Sequence, residues 1–142
     1  MTNRCVQNPA LRLAPPVWVV DDDEDDRLFI QSAFESINPP IDVLVLTGGE
    51  ELLSALAKHE SLPRLILLDI NMPYQNGFDT LKQLRTSQKY AELPVIMLTT
   101  SSSEDDRQRS FALGADQFIT KPSSYNQLIA LTQQLAQQLV GA

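Results

Sequence analysis

With 142 residues and a net charge of −7, the chain is long enough to bury one core without disulfides or a structural metal, and too acidic for nonspecific binding to nucleic-acid phosphates. Its single cysteine, Cys5, cannot form an intramolecular disulfide and fits a reducing, cytoplasmic setting as an inert thiol. No apolar run approaches the roughly 20 residues that span a bilayer, and the first residues lack the apolar centre of a signal peptide, so a soluble protein with no membrane partner is expected.

Residues 1–16 are polar and irregular, close on Ala14-Pro15-Pro16, and fit neither a strand nor a helix period; they read as a loose arm before a domain over 17–140. Val17-Trp18-Val19-Val20 reads as a buried strand, and six consecutive acids follow it, Asp21 to Asp26. Phe29, Ile30, Ala33, Phe34 and Ile37 then recur at helical spacing until Pro39-Pro40 stops the helix. Ile41 to Leu46 is apolar and β-branched, Thr47-Gly48-Gly49 breaks it, and Glu50 to His59 sets Leu52, Leu53 and Leu56 on one helical face. His59 lies away from the strand ends and reads as a solvated surface residue.

Leu65-Ile66-Leu67-Leu68 is a short apolar run of the kind buried on both faces of a parallel sheet, and Asp69 stands at its carboxyl end, before Pro73 closes the turn. Asn76-Gly77 opens a helix bearing Phe78, Leu81 and Leu84. Pro94 to Leu98 makes a fourth strand, and the hydroxyl run Thr99 to Ser103 offers an N-cap to a helix whose first turn is acidic at Glu104, Asp105 and Asp106. That helix runs to Leu113 and stops at Gly114. Asp116 to Thr120 is a fifth strand ended by Lys121-Pro122, and Leu128, Leu131, Leu135 and Leu139 stripe a last helix whose glutamines, Gln133 to Gln138, form a solvated face.

Five alternations of strand and helix point to an α/β fold: a parallel sheet with right-handed crossovers and helices on both faces. In such a sheet the carboxyl ends of all strands meet on one edge, where ligands bind. Asp21, Asp22, Asp69, Thr99 and Lys121 all stand at such ends. Three carboxylates converging there repel one another unless a hard cation joins them, and an all-oxygen set of this kind suits Mg²⁺.

From about Val17 to Leu139 the chain resembles the receiver domains of two-component response regulators. The resemblance is carried by Val20-Asp21-Asp22, by Leu68-Asp69-Ile70-Asn71-Met72-Pro73 with Gly77, by Leu98-Thr99-Thr100, and by Thr120-Lys121-Pro122. It implies a flavodoxin-like (βα)5 fold with strand order 2-1-3-4-5. It further implies that Asp69 is the phosphoacceptor, that Asp22, Asp69 and the backbone carbonyl of Asn71 bind Mg²⁺ directly, and that Asp21 acts through water. Counting one residue later along the acid run would shift the pair to Asp22 and Asp23. Thr99 and Lys121 would hold the phosphoryl oxygens, and Thr99 with Phe118 would relay the switch.

Several positions depart from the family's usual pattern. Thr100 stands where a very small residue is common, Ser123 where an aromatic is common, and Phe118 in place of tyrosine, while the Lys121–Pro122 bond is expected to be cis.

The implied function is a stand-alone switch that accepts phosphate on Asp69 and acts through phosphorylation-dependent protein contacts. Its donor would be a sensor histidine kinase or a histidine phosphotransfer protein, since no histidine here is placed to supply the group. A homodimer through the face of the fourth helix, fifth strand and fifth helix is a further expectation of the resemblance. The competing enzyme reading is a small haloacid-dehalogenase-type phosphohydrolase using Asp21, for which Asp25 stands where a hydroxyl or valine belongs. A degenerate receiver that binds partners without phosphorylation is a third reading. Stoichiometric phosphate uptake at Asp69 against turnover through Asp21 separates the first two.

Overall fold

The computed structural model describes residues 15–72 and 76–141. Cys5 with most of the expected arm, and Pro73 in the expected turn, lie outside the described residues. The elements in chain order are β1 (Val17–Val20), α1 (Glu24–Ser36), β2 (Val43–Leu46), α2 (Gly49–Lys58), β3 (Leu65–Leu68), α3 (Gly77–Thr86), β4 (Val95–Thr99), α4 (Glu104–Ala112), β5 (Gln117–Thr120) and α5 (Tyr125–Gly141).

All four strand pairings are parallel, and the sheet runs β2-β1-β3-β4-β5. This is the flavodoxin-like order, in which the strand order reverses between β1 and β3. Strands this short can be central because every residue of β1, β3 and β4 is buried. Alternate side chains feed two cores: Trp18, Val20, Ile66, Leu68 and Met97 pack with Leu52, Leu56, Leu81 and Leu84 of α2 and α3, whereas Val17, Val19, Leu65, Leu67 and Leu98 pack with Ile30, Phe34, Leu128 and Leu135 of α1 and α5. Each fully buried aliphatic side chain contributes about 1.5–3 kcal/mol of transfer free energy.

Side-chain caps start four of the helices. Asp23 accepts from the Asp26 amide at 3.0 Å, Asn76 from Asp79 at 3.0 Å, Ser103 from Asp106 at 3.3 Å and Ser124 from Gln127 at 3.2 Å. Acids in the first turns of α1 and α4 add to the helix-dipole term. Gly114, at φ 104°, ends the α4 segment in a conformation that side chains resist.

Boundaries differ from the sequence reading where pattern is weak. Strand β2 begins at Val43, because the buried Ile41 instead donates its amide to the Phe34 carbonyl and belongs to the connection from α1. The cis peptide among the described residues is Asn38–Pro39, so the expected cis Lys121–Pro122 bond is corrected to trans. The two isomers of a prolyl bond differ by only about 0.5–1 kcal/mol, and local packing decides between them. His59 is exposed as expected, and caps α2: its Nδ1 lies 2.8 Å from the Ala55 carbonyl oxygen and its ring stands edge-on to Trp18.

Candidate functional site

The sheet register brings the site together. Val20 of β1 pairs with Leu68 of β3, so Asp21 and Asp69 leave their strands at the same level, and the Asp69 amide donates to the Val20 carbonyl at 3.0 Å. Thr99 pairs with Thr120, and the Lys121 amide then donates to the Thr99 carbonyl at 2.7 Å. Residues scattered over a hundred positions of sequence thus share one sheet edge.

Asp21, Asp22 and Asp69 each bring a carboxylate oxygen within 4.8 Å of the others. Asp21 and Asp69 are buried and Asp22 is exposed, so the group lies at the mouth of a crevice, with one acid facing water. A neighbouring groove of Asp22, Asn71, Asn76, Asp106 and Arg109 leads to it. Asn71 is exposed, and its amide points at Asp69 Oδ1 at 3.4 Å.

Lys121 is the cation that meets these acids. Its Nζ is 2.6 Å from Asp21 Oδ2, 2.6 Å from Asp26 Oδ2 and 3.3 Å from Asp69 Oδ2. Burial pushes the Asp21 carboxyl up to about 6, and the Asp69 charge adds to that, although Lys121 and the Asp23 amide pull the other way. Burial also opposes the charge on Lys121, but hydrogen bonds to Asp21 and Asp26 outweigh it and hold the ammonium above the usual lysine range. One lysine does not balance the acids gathered here. An all-oxygen cluster with unneutralised charge and a partly open mouth has the donor chemistry of a divalent-cation site.

The backbone around Asp69 is equally constrained. The Gly77 amide donates to the Ile70 carbonyl at 2.9 Å, and a Cβ on Gly77 would lie 2.2 Å from the Asp69 carbonyl oxygen. Only glycine lets α3 start against the strand end that carries Asp69.

Thr99 is fully buried, and its hydroxyl accepts from the Ser101 amide at 3.3 Å. The helix cap assigned to the hydroxyl run falls to Ser103, while Ser101 Oγ donates to Asp106 Oδ2 at 2.6 Å. Phe118 is half-buried against the α2–α3 core and Thr100 is exposed beside the crevice. Ser123 and Pro122 line a cavity of about 290 Å³ with Phe29 and Tyr125, and Lys121 and Asp26 border it from the side of the acids.

Two contacts were not read from the sequence. Asp26, the last of the six acids after the first strand, pairs with Lys121, and Arg27 Nη1 donates to the Asp21 carbonyl at 2.9 Å. The available signal was weak: Asp26 stands three residues after the Asp23 cap, in the first turn of the helix that leaves the strand end.

The family model described as the response regulator receiver domain matches residues 17–133. The transcriptional regulatory protein CpxR of Klebsiella pneumoniae is 39% identical over 114 residues, 80% of this chain but 46% of its own length, so the chain spans about half of that relative. Among solved structures, the phosphorylated cyanobacterial phytochrome response regulator RcpA superposes with a TM-score of 0.82 at 28% identity, covering 89% of this chain and 94% of its own. The Mn²⁺-bound form of the response regulator Rcp1 superposes with a TM-score of 0.75 at 26% identity, covering 87% of this chain and 93% of its own.

Proposed function

The chain belongs to the response regulator receiver family, and from that premise we propose that residues 17–140 work as a phosphoryl-accepting switch with Asp69 as the phosphoacceptor. One observation carries the reading: a buried carboxylate at the end of the central strand faces a lysine ammonium at 3.3 Å inside a crevice with excess negative charge. The superposition on the RcpA and Rcp1 chains over 94% and 93% of their lengths supports a receiver unit like theirs, and binding of other proteins is the proposed mode of action.

In the transfer, a carboxylate oxygen of Asp69 attacks the donor's phosphorus in line, an O–P bond forms, and the donor's bond to phosphorus breaks with its electron pair leaving on the donor. A carboxylate approaches an anionic phosphoryl group only when the charge between them is neutralised. Lys121 supplies one positive charge at an equatorial oxygen, and the Thr99 hydroxyl supplies a donor to another once it releases the Ser101 amide. Asp22, Asp69 and the carbonyl of Asn71 would hold Mg²⁺, with Asp21 reached through water. When bound, that cation contributes charge neutralisation and orientation of the phosphoryl oxygens. Asp21 also keeps Lys121 in place, so its two oxygens are committed, to Lys121 and to the Asp23 amide at 2.9 Å. That commitment disfavours Asp21 as the nucleophile of a dehalogenase-type phosphohydrolase.

The acyl phosphate adds negative charge and acceptor oxygens at Asp69. Movement of Thr99 toward them frees space beside β4, into which the half-buried Phe118 follows, and the surface of α4, β5 and α5 changes. Phe111 on α4 is exposed, with the Arg107 guanidinium 5.2 Å over its ring, so this face has an apolar contact to offer a second copy. Light scattering with and without beryllofluoride tests that dimer; a monomeric mass in both removes it. A cytoplasmic histidine kinase or histidine phosphotransfer protein is the proposed donor.

Intact-mass spectrometry after incubation with acetyl phosphate and Mg²⁺ tests the central reading. The expected result is one added phosphoryl group that requires Mg²⁺ and is lost in Asp69→Asn. A folded, Mg²⁺-binding protein that takes up no phosphoryl group from acetyl phosphate or from a phosphohistidine donor leaves a phosphorylation-independent binding module.

A further inference from the structure

The Lys121 ammonium has three protons and three carboxylate neighbours, and the shares are unequal. Asp21 and Asp26 each lie 2.6 Å from Nζ, whereas Asp69, on which the chemistry is proposed to occur, is at 3.3 Å. Asp21 and Asp69 belong to the cluster that gathers at the candidate metal site, but Asp26 does not. A cation in that cluster would therefore leave the charge of Asp26 on Lys121.

Asp26 is well placed to keep its hold. It sits in the first turn of α1, its amide is fixed by Asp23 Oδ1 at 3.0 Å, and its side chain is 34% exposed against 11% for Lys121. The lysine is thus desolvated on the side facing the sheet edge and gains a strong charge-assisted contact from a helix that carries none of the other proposed phosphoryl contacts. Its neighbour Asp25 is exposed and makes no ion pair among the described residues.

We infer that Asp26 is a positioning residue: it draws the Lys121 ammonium toward α1 and leaves Asp69 the longest of its three contacts in the unphosphorylated protein, and its release of Lys121 is part of accepting the phosphoryl group. This inference rests on Asp69 being the phosphoacceptor. Asp26 opposes phosphoryl uptake, because the lysine proton it takes is one that the equatorial phosphoryl oxygens need.

The test compares Asp26→Asn, Asp26→Glu and Asp25→Asn with wild type. In acetyl phosphate with Mg²⁺, Asp26→Asn takes up the phosphoryl group about fivefold faster and binds beryllofluoride about fivefold more tightly, the scale of one partly exposed ion pair. Asp25→Asn removes the same charge one residue away and leaves both near wild type. Asp26→Glu, which restores the carboxylate, lies between wild type and Asp26→Asn. In the metal-free protein, the Lys121 ¹³Cε resonance moves in Asp26→Asn and stays in Asp25→Asn. Unchanged or slower uptake in Asp26→Asn, equal acceleration by Asp25→Asn, or a Lys121 signal indifferent to Asp26 overturns the inference. Wild-type protein that takes up no phosphoryl group fails the phosphoacceptor reading itself; uptake by wild type with no response to Asp26 fails this inference alone.

Discussion

The two edges of the sheet each hold a cluster of charge, built to opposite rules. At the carboxyl edge, Asp21, Asp26 and Asp69 meet the single ammonium of Lys121 while Asp22 lies beside Asp21 and Asp69, and burial lifts the Asp21 carboxyl to about 6. At the amino edge, Arg85 is buried to 16% exposure and spends its protons mostly on backbone: Nε donates to Gly114 O at 2.8 Å, Nη1 to Ala91 O at 3.1 Å and Tyr90 O at 3.4 Å, and Nη2 to Asp116 Oδ2 at 3.3 Å. Asp116 in turn accepts from the Val95 amide at 2.8 Å. The arginine ties together the connections that enter β4 and β5, with its charge matched and its donors used. The carboxyl edge leaves charge over, which costs stability and suits the divalent cation and phosphoryl group proposed for it. A balanced cluster holds the fold, and an unbalanced one is available for chemistry.

The sharpest break between the edges is Asp69→Asn. It abolishes phosphoryl uptake, read by intact mass, yet relieves repulsion at the carboxyl edge. Metal-free stability in urea is expected to stay level or to rise by about 1–2 kcal/mol. Arg85→Ala is its mirror image. Leaving several partly buried carbonyls without that donor costs about 1–3 kcal/mol in the same urea experiment, while uptake per folded molecule is unchanged.

The pH response sharpens the contrast. The folded Asp21 carboxyl, at about 6, binds its proton more tightly than the unfolded one at 3.8. Between those values the unfolded state has already lost a proton that the folded state keeps, so rising pH favours unfolding across that window. Relative to Asp21→Asn, metal-free wild type is expected to lose on the order of 2 kcal/mol between pH 4 and pH 7. Saturating Mg²⁺ removes most of that loss, and calorimetric titration should find Mg²⁺ binding tighter at pH 7 than at pH 5. The smallest effect expected is that of Asp116→Asn, below about 1 kcal/mol, because the arginine pair is 57% exposed on the acid's side and asparagine still accepts from the Val95 amide.

Much of the molecule could be read from residue order. Leu65 to Leu68 and Val17 to Val20 are apolar without alternation because both faces of their strands are covered, and that pattern alone implied a parallel sheet between helix layers. Asp69 and Lys121 stood out as polar residues ending such runs. The weaker β2 showed the limit: half-buried on the outer edge, it has no sharp pattern, and Ile41 belonged outside it. Residues 73–75 and 1–14 lie outside the described residues. Asp26 escaped the sequence reading because an acid in a first helical turn already has a sufficient local reason to be there. Its partner lies 95 positions away.

The sequence by itself determined the alternation of elements, the residues that open α3 and cap α4, and the placing of Asp21, Asp69, Thr99 and Lys121 at strand ends. These follow from period and local hydrogen bonding, which act over a few residues. Only the tertiary structure decided how the charges are shared: that Lys121 divides itself among Asp21, Asp26 and Asp69, that Arg85 staples the opposite edge, and that Gly77 must lack a side chain because α3 begins against the Asp69 carbonyl. Charge interactions and close packing depend on distances of a few ångströms between segments far apart in the chain, and those distances exist only once the sheet is assembled in register.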